Sequence, residues 1–236
     1  PAPLVPRYLR WPVRERLNWR GDVLTALDED SVLALLPLIE QNEIESLAIG
    51  LIHAYANPAH EQRVAELVQQ TYPELSLSLS SEVCPEVREY ERQSTTCANA
   101  YVRPVMARYL GRLRAGLNDM GLSGDLLLMS SGGTLMGLEA AQQFPIRLVE
   151  SGPAGGAILA AHIAEEEGFQ RVLSYDMGGT TAKICLIDNA EPLTSRSFEV
   201  ARAYRFMRGS GLPVRIPVIE MVEIGAGGGS IARVDN

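Results

Sequence analysis

The order of apolar and polar residues predicts a strand, a helix and a second strand in the first half of the chain. Residues 46–53 form a continuous apolar run, which is typical of a buried strand. Residues 64–68 carry apolar side chains at helical spacing, and residues 75–79 alternate leucine with serine as a strand does. Two strands that flank one helix form a βαβ unit, so we expect a parallel sheet here.

The flanking segments are predicted from the same patterns. Residues 94–118 continue a helical period, and Pro104 is expected to interrupt it. Residues 82–92 alternate acidic side chains with Arg88 and Arg92 at helical spacing, which favours a solvated, salt-bridged helix face. Residues 1–21 are predicted to be an extended arm whose two tryptophans pack, with contact to single-stranded nucleic acid as the alternative.

The pattern changes in the second half, where short strands alternate with glycine clusters. Residues 172–176 are typical of a buried strand, and Gly178-Gly179 end it before residues 181–187 resume as a second strand. Residues 194–200 can run back as a third strand. The expected structure is an antiparallel meander with a tight turn between its first two strands.

That turn carries the strongest candidate chemistry in the chain. Gly178 and Gly179 leave backbone N–H groups accessible to an anion, and Thr180 and Thr181 add hydroxyl donors, so a phosphate would fit there. The same residues are also common in ordinary hairpin turns, and spacing alone leaves both interpretations open.

Two charged residues flank the turn. Asp176 ends the first strand, where its carboxylate can hold Mg²⁺ or the water shell of the ion beside a phosphate. Lys183 can neutralise charge on a terminal phosphoryl group, although on a strand it can equally face solvent. Asp176 and Lys183 are therefore the predicted catalytic residues, and Asp176 is also the predicted metal ligand.

Three further glycine-containing segments are candidate ligand sites. The loop that follows residue 129 can contact a nucleotide or the substrate, or be a plain strand-end loop. The segment before the alanine-rich helix can bind an anion at the helix N-terminus, or its small residues can serve close packing. The loop after residue 224 has almost no side chains, so a ligand can approach its backbone. The residues concerned are Ser131, Gly132 and Gly133; Ser151 and Gly152; and Gly225, Gly227, Gly228, Gly229 and Ser230.

Two other groups of residues leave alternatives open. His53 and His60 both lie near the predicted carboxyl edge of the first strand, where they are a possible metal pair or ordinary polar residues. The arginines of residues 201–217 can reach an anion or a partner subunit, or belong to a surface loop without such a role.

Composition narrows the class of protein. The chain has 236 residues, 46% of them hydrophobic and 21% charged, which is ordinary for a globular protein. A net charge of −8 provides no broad basic surface for nucleic acid. Three cysteines without CxxC spacing indicate thiols in a reducing compartment, and no apolar run reaches the length of a membrane span. We expect a cytoplasmic protein and, because the chain starts without methionine, an excised piece of it.

Four segments together resemble one known family. DMGGTTAKICLID at 176–188, ESGPAGG at 150–156, VEIGAGGGSIA at 222–232 and HAYANPAHE at 53–61 are similar to the alpha subunit of the hydantoinase/oxoprolinase family, within the superfamily of actin, Hsp70 and sugar-kinase ATPases. One departure is Lys183, where many members of that family have an aspartate. The resemblance covers most of the chain.

The resemblance implies an α/β fold built from incomplete RNase H-like (actin-like ATPase) lobes. Residues 1–125 would be the rear of a first lobe with its N-terminal arm, and residues 126–236 the start of a second lobe with the phosphate-binding meander and the glycine-rich loop. The glycine-rich segments would bind ATP with Mg²⁺. The first phosphate motif of the family is not in this chain, so turnover by this chain alone is not expected.

The implied activity is ATP-dependent opening of a cyclic amide such as hydantoin or 5-oxoproline, in which ATP phosphorylates the amide oxygen. The alternatives are a ketone carboxylase subunit of the same family, a sugar or small-molecule kinase, and a non-enzymatic assembly module. The expected partners are a small-molecule substrate, a hydantoinase B-type subunit and further copies of the chain, without nucleic acid or membrane.

Overall fold

The computed structural model describes residues 3–204, 207, 209–231 and 233–234. The chain divides into two compact units. The first contains residues 1–126, 138–146 and 197–216, and the second contains residues 127–137, 147–196 and 217–236. The units therefore alternate along the sequence, and the predicted lobe boundary after residue 125 stays a prediction.

Helices and short strands alternate along the described chain. The α-helices are α1 (Glu29–Leu33), α2 (Leu36–Gln41), α3 (Ala59–Thr71), α4 (Ser80–Val83), α5 (Glu89–Asp119), α6 (Leu138–Gln143) and α7 (Ser151–Glu166), with 3-10 helices at Arg7–Leu9 and Pro145–Leu148. The strands are β1 (Arg16–Leu17), β2 (Val23–Thr25), β3 (Ser46–Ile49), β4 (Ser76–Leu79), β5 (Leu127–Met129), β6 (Leu135–Gly137), β7 (Arg171–Met177), β8 (Ala182–Asp188), β9 (Glu191–Pro192), β10 (Thr194–Ser195), β11 (Phe198–Val200), β12 (Leu212–Val214), β13 (Val218–Ile219) and β14 (Val222–Ile224).

The first unit is organised around the predicted βαβ element. Strands β3 and β4 pair in parallel from Ser46↔Ser76 to Ile49↔Leu79, and helix α3 connects them. Apolar side chains of α1, α2 and α3 bury against this pair and form its core. The parallel prediction is confirmed, although β3 is shorter than the apolar run of residues 46–53 and ends at Ile49.

Helix α5 corrects two predictions. It continues without a break from Glu89 to Asp119 with Pro104 inside it, because packing along a helix of this length outweighs one lost backbone hydrogen bond. Arg92 in its first turn is fully buried rather than solvated. Its guanidinium is turned inward because backbone carbonyls and the Ser80 hydroxyl accept its hydrogen bonds there.

The N-terminal arm packs through only one of its tryptophans. Trp11 lies against the core of the first unit. Trp19 is exposed, and the guanidinium of Arg20 lies 4.7 Å from the centroid of its ring. The packing prediction is therefore right for Trp11 and wrong for Trp19, which a neighbouring arginine covers in part.

The second unit contains a sheet in the order β14-β8-β7, with all neighbours antiparallel and β9 paired with β8. The hairpin of β7 and β8 confirms the first two strands of the predicted meander. The prediction that the first strand is buried is wrong, because the side of β7 that carries Leu173 and Tyr175 is not covered by other described residues. The predicted third strand at 194–200 is wrong: its two halves, β10 and β11, pair with β13 and β12 instead. Strand β14 takes the place beside β8, a pairing over about 40 residues of sequence that local patterns do not reveal.

The two faces of this sheet differ. Alanines of α7 pack on one face, where Cys185 and Ile187 are buried. The opposite face carries half-exposed large apolar side chains that the strand register places side by side. These form the open apolar face, which consists of Leu173, Tyr175, Met177, Leu186, Val222 and Ile224.

The arginine-rich segment of residues 201–217 contains strand β12, which belongs to the first unit. Arg215 donates to the Glu86 carboxylate at 3.0 Å, and Arg202 lies 3.4 Å from the Glu199 carboxylate. Arg205 and Arg208 lie outside the described residues. In the described ranges, no helix is both long and apolar enough to cross a membrane.

Candidate phosphate site

The turn between β7 and β8 is a tight, exposed connection. Gly178 N–H donates to the Thr181 carbonyl at 3.0 Å, and the strands pair up to Met177↔Ala182. Neither glycine of the turn has a positive φ. A Cβ added to Gly179 would meet nothing within 4 Å, and one added to Gly178 would meet only a carbonyl at 3.8 Å. The hairpin itself therefore does not require glycine at either position, and the open space beside the turn is what the two glycines preserve.

A second glycine segment lies directly on this turn. Strand β14 pairs with β8 so that Ile224 is opposite Ala182, and the loop of residues 225–230 therefore starts beside the turn. Gly228 N–H donates to the Gly178 carbonyl at 3.1 Å. A Cβ on Gly227 would overlap the Gly179 carbonyl and lie 2.7 Å from the Thr180 nitrogen. Only glycine permits this approach of the two backbones.

The loop is also closed on itself by a serine. Ser230 N–H donates to the Gly227 carbonyl at 2.8 Å, and Gly227 N–H donates to Ser230 Oγ at 3.0 Å. Gly229 lies between them, and a Cβ there would meet nothing within 4 Å. The glycine-rich loop and the turn thus form one hydrogen-bonded pair of backbone segments with few side chains.

Charged residues form a row across the three strands beside the turn. The register places Asp176, Lys183 and Glu223 opposite one another on β7, β8 and β14, on the face that α7 covers. Lys183 Nζ lies 3.1 Å from Glu150 Oε2 and 3.3 Å from Glu223 Oε1. Burial lowers the pKa of Lys183, but the hydrogen bonds and charges of Glu150 and Glu223 outweigh burial, so the pKa is raised overall.

Asp176 differs from Lys183 in having no partner. Its side chain is exposed and makes no hydrogen bond or ion pair with the residues that the structure describes. Within the same residues, no group of three or more histidine, cysteine, aspartate or glutamate side chains is arranged to hold a metal ion. A metal at Asp176 would therefore take most of its ligands from a bound phosphate and water.

Helix α7 begins at Ser151, whereas the alanine-rich sequence predicts a start near Ala157, so Ser151 and Gly152 are the first two residues of the helix rather than a segment before it. Glu150 precedes it in the left-handed conformation, with φ of 61°, and pairs with Lys183 instead of capping the helix. The core contacts of α7 come from its alanines, such as Ala154, which supports the packing interpretation for those positions. A Cβ added to Gly152 would meet nothing within 4 Å, and Gly152 stays a predicted anion contact.

The turn between β5 and β6 is explained by packing. Ser131 is 1% exposed, and its hydroxyl donates to the Arg147 carbonyl at 2.7 Å. A Cβ on Gly132 would lie 3.3 Å from Pro217, and Gly133 has φ of 79° with Ile158 too close for a side chain. These contacts explain why a serine and two glycines occupy positions 131–133. The role of the three residues in substrate binding stays a prediction.

The two histidines do not form a pair. His60 Nδ1 lies 2.8 Å from Glu15 Oε2 in a largely buried contact, so Glu15 already occupies that nitrogen. His53 lies beside Tyr55 and Glu89 instead. The structure gives no support for the metal interpretation of this segment.

Sequence reasoning missed Glu150 and Glu223 as members of the site. Both belong to segments that the sequence singles out, but their carboxylates meet Lys183 only because β14 pairs with β8 and α7 starts beside them. The sequence contained one signal that could have indicated the two glutamates, namely the lysine at position 183 in place of the aspartate that many members of the family have. A partly buried lysine requires carboxylates nearby, and each glycine segment carries one glutamate close to its start.

The raised pKa of Lys183 makes its contribution to stability dependent on pH. A folded-state pKa above the unfolded-state value of about 10.4 means that the ion pairs stabilise the fold fully below that pH. The contribution is lost as the pH rises through the folded-state pKa. We therefore expect Lys183→Met to lower the free energy of unfolding near neutral pH, and the difference from wild type to shrink above about pH 10.5.

Urea unfolding of wild type and Lys183→Met across this pH range measures the effect. Arg171→Met is the control, because the exposed Arg171–Asp188 pair should contribute little at any of these pH values. A difference between wild type and Lys183→Met that stays constant through the alkaline range would contradict the ion-pair interpretation.

Comparison with known proteins identifies the family. The Hydantoinase/oxoprolinase family profile matches residues 92–236, and the Hydantoinase/oxoprolinase N-terminal region matches residues 1–72. An uncharacterized protein of Methanocaldococcus jannaschii is 38% identical over 238 residues, covering 100% of this chain and 35% of its own length. The caprolactamase subunit alpha of Pseudomonas jessenii is 33% identical over 233 residues, which cover 99% of this chain and 32% of the subunit.

Solved structures agree with these matches. The nucleotide-free structure of acetone carboxylase, from a study of ATP-dependent acetone carboxylation, superposes with a TM-score of 0.83 at 27% identity over 100% of this chain and 32% of that one. The ATP-dependent caprolactamase of Pseudomonas jessenii superposes with a TM-score of 0.79 at 31% identity, over 98% of this chain and 32% of the caprolactamase chain. The mixed α/β fold is therefore that of the ATPase-like proteins of this family, and the chain spans about a third of the relatives it matches.

The chain belongs to the hydantoinase/oxoprolinase family. Its relatives include 5-oxoprolinases as well as the caprolactamase and the ketone carboxylases. The family thus contains ATP-dependent enzymes, some of which open amides.

Proposed function

We propose that the protein is part of an ATP-dependent hydrolase of cyclic amides, of the hydantoin or 5-oxoproline type. ATP would supply the phosphoryl group that activates the amide oxygen for attack by water. The support comes from family membership and from the glycine-rich site, and relatives that act on lactams are named among the matches. The chain spans 32% of the caprolactamase subunit and 16% of the 5-oxoprolinase, so the activity is proposed for the protein that contains the chain.

The observation that carries the proposal is the joining of two glycine segments at one turn. Gly178 and Gly179 are required neither by backbone conformation nor by packing, whereas Gly227 is required because the glycine-rich loop lies on the turn. The result is an exposed backbone surface with open space beside it, on which the N–H groups of Gly179 and Gly229 donate to no other described residue. Such surfaces bind phosphate groups.

The side chains around the turn have distinct proposed roles. Asp176 has a free carboxylate, so it would hold Mg²⁺ together with phosphate oxygens and water. Thr180 and Thr181 would donate to phosphate from the turn. The N–H groups of Ser151 and Gly152, and those of Gly225 and Gly229 in the loop, would contribute further donors. The N–H groups of Gly227, Gly228 and Ser230 already donate within the loop and the turn, so these residues would shape the site rather than donate to phosphate.

Lys183 acts in this proposal from a fixed position. Two carboxylates hold its ammonium group, so it neutralises the row of acidic side chains beside the turn and lowers the repulsion that an incoming phosphate would meet. Direct contact between Lys183 and a phosphoryl group would require it to leave Glu150 or Glu223.

A ketone carboxylase subunit is the second proposal, supported by the match to acetone carboxylase over the whole chain. A second type of subunit is proposed as a partner in either case, because several relatives are named as subunits. We also propose that the protein forms a homo-oligomer and is cytoplasmic. The three cysteines are free thiols in the structure, which agrees with a reducing compartment.

Calorimetric titration with Mg-ATP of the protein that contains this chain tests the phosphate site. We expect Asp176→Asn to weaken binding by about 10- to 100-fold, because one charge-assisted contact contributes roughly 1.5–3 kcal/mol. Gly179→Val should abolish binding while the fold is kept, because a Cβ at this position meets nothing within 4 Å and the side chain would fill the space proposed for phosphate.

Asp188→Asn is the matched control, since this exposed aspartate lies at the other end of the same strand pair. Its affinity should equal that of wild type. Unchanged binding in both Asp176→Asn and Gly179→Val would exclude the turn as the phosphate site and favour an assembly module.

A further inference from the structure

A second set of functional groups lies at the carboxyl ends of β3 and β4 in the first unit. The strands end together, with Ile49 opposite Leu79. Ligands of α/β proteins bind at this edge of a parallel sheet. The segment that leaves β3 runs through Gly50 and Leu51 to His53.

Two fully buried charged side chains fix this segment. Glu61 accepts hydrogen bonds from Leu51 N–H at 2.8 Å, from Ser80 Oγ at 2.6 Å and from Ser81 N–H at 2.9 Å. Arg92 donates to the Leu51 carbonyl at 2.8 Å and to Ser80 Oγ at 3.1 Å. The residue two positions before His53 is thus held at its N–H by a carboxylate and at its carbonyl by a guanidinium.

This arrangement is more than a connecting loop requires, because burying charge is costly even when the charge is paired. It also holds His53 in the left-handed region, with φ of 61°, where histidine is uncommon. Strained residues that their surroundings hold in place are concentrated at functional sites. The structure therefore fixes the position of one imidazole with unusual precision.

The ring of His53 has one nitrogen engaged and one free. Nδ1 lies 3.4 Å from the Tyr55 hydroxyl and 3.9 Å from the Glu89 carboxylate. Nε2 makes no hydrogen bond or ion pair with the residues that the structure describes, and the side chain is 23% exposed. We assign the tautomer in which the Tyr55 hydroxyl donates to Nδ1, which leaves the ring proton on Nε2.

We propose that His53 forms a ligand site at this sheet edge, in which Nε2–H donates to a carbonyl or carboxylate oxygen of a small molecule. Tyr55 acts as the positioning residue through Nδ1. Only the choice of cyclic amides as ligands rests on the proposed function. The site itself rests on the fixed Leu51 segment and the free nitrogen.

The chain contains three histidines, so imidazole NMR resolves the question directly. The chain labelled with ¹⁵N-histidine is titrated with 2-pyrrolidone, which has a lactam carbonyl alone, and with 5-oxoproline, which adds a carboxylate. We expect the His53 ring signals to shift in a saturable way while those of His60 and His162 stay in place. Equal affinity for the two compounds assigns the contact to the carbonyl, and tighter binding of 5-oxoproline assigns it to the carboxylate.

Two variants separate binding from structure. His53→Asn keeps a residue that tolerates positive φ, so it should melt like wild type yet lose the affinity at least about tenfold. Tyr55→Phe keeps the ring beside Arg92 and removes the hydroxyl, and it should move the His53 nitrogen shifts before any ligand is added. His162→Asn, at an exposed site on α7, is the control and should bind like wild type.

The inference is overturned if neither compound moves the His53 signals, if all three histidines move alike, or if His53→Asn binds as tightly as wild type. Mg-ATP calorimetry is independent of these results. ATP binding without a His53 response defeats only this inference, whereas a His53 response without ATP binding defeats only the phosphate assignment.

Discussion

Gly227→Ala is expected to weaken Mg-ATP binding by about 10- to 100-fold, because the added methyl group costs roughly 1–3 kcal/mol in a packed position. The methyl group would overlap the Gly179 carbonyl and crowd the Thr180 nitrogen, so the loop and the turn must separate. Their separation also breaks the hydrogen bond from Gly228 to Gly178. The surface that we propose for phosphate would then lose one of its two segments.

Gly229→Ala provides a matched control within the same loop. A Cβ at Gly229 meets nothing within 4 Å, so the substitution changes loop flexibility to the same degree without a clash. Calorimetry should give a smaller loss of affinity for Gly229→Ala than for Gly227→Ala, because only a methyl group at Gly227 separates the loop from the turn. Equal loss of affinity in both variants would mean that loop flexibility, rather than contact between loop and turn, supports binding.

Arg92→Met is expected to lower the free energy of unfolding by about 3–5 kcal/mol, the usual cost of breaking a buried charge network. The variant leaves the Glu86 carbonyl without its donor, and it removes one of two partners from the Leu51 carbonyl and from the Ser80 hydroxyl. The Glu61 carboxylate then remains buried with no neighbouring positive charge in this network.

Urea unfolding of Arg92→Met beside Arg108→Met tests this expectation. Arg108 lies on the same helix, is exposed, and makes no ion pair with the described residues, so its replacement should change stability by less than about 0.5 kcal/mol. Glu61→Gln should also destabilise, since an amide can replace only part of the three accepted hydrogen bonds. Similar stabilities for the two arginine variants would show that the buried network does not contribute.

Local patterns in the sequence were sufficient for the elements whose partners are close in the chain. The βαβ unit follows from apolar runs on either side of α3, and the β7–β8 hairpin follows from two strand patterns that Gly178-Gly179 interrupt. The residues that predict each of these two elements lie within a short stretch of sequence, so contacts with distant parts of the chain were not needed to predict them. The phosphate interpretation of the turn depended on glycine chemistry in the same window.

Pairings over long separations were not accessible in this way. Strand β14 is only three residues long, and nothing in its sequence indicates that it pairs with β8. The sequence favours the segment at 194–200 for that place instead. The contact between Gly227 and Gly179, and the two carboxylates on Lys183, depend on that pairing. The candidate site was therefore predicted as separate segments, and the structure joins them.

Arg92 shows a different limit. Its neighbours alternate in charge at helical spacing, which ordinarily indicates a solvated face. Burial of this one arginine depends on Ser80 and Leu51, which come from two different strand ends. A pattern along one helix contains no information about acceptors that other elements supply.

The open apolar face has a consequence for how the chain behaves in solution. Six large apolar side chains lie side by side on a sheet whose other face is packed. Exposed apolar areas of this kind promote association whatever the net charge, because charge repulsion acts weakly over a neutral surface at physiological salt. We therefore expect the open apolar face to favour self-association of this chain at high concentration, although the chain as a whole carries a charge of −8.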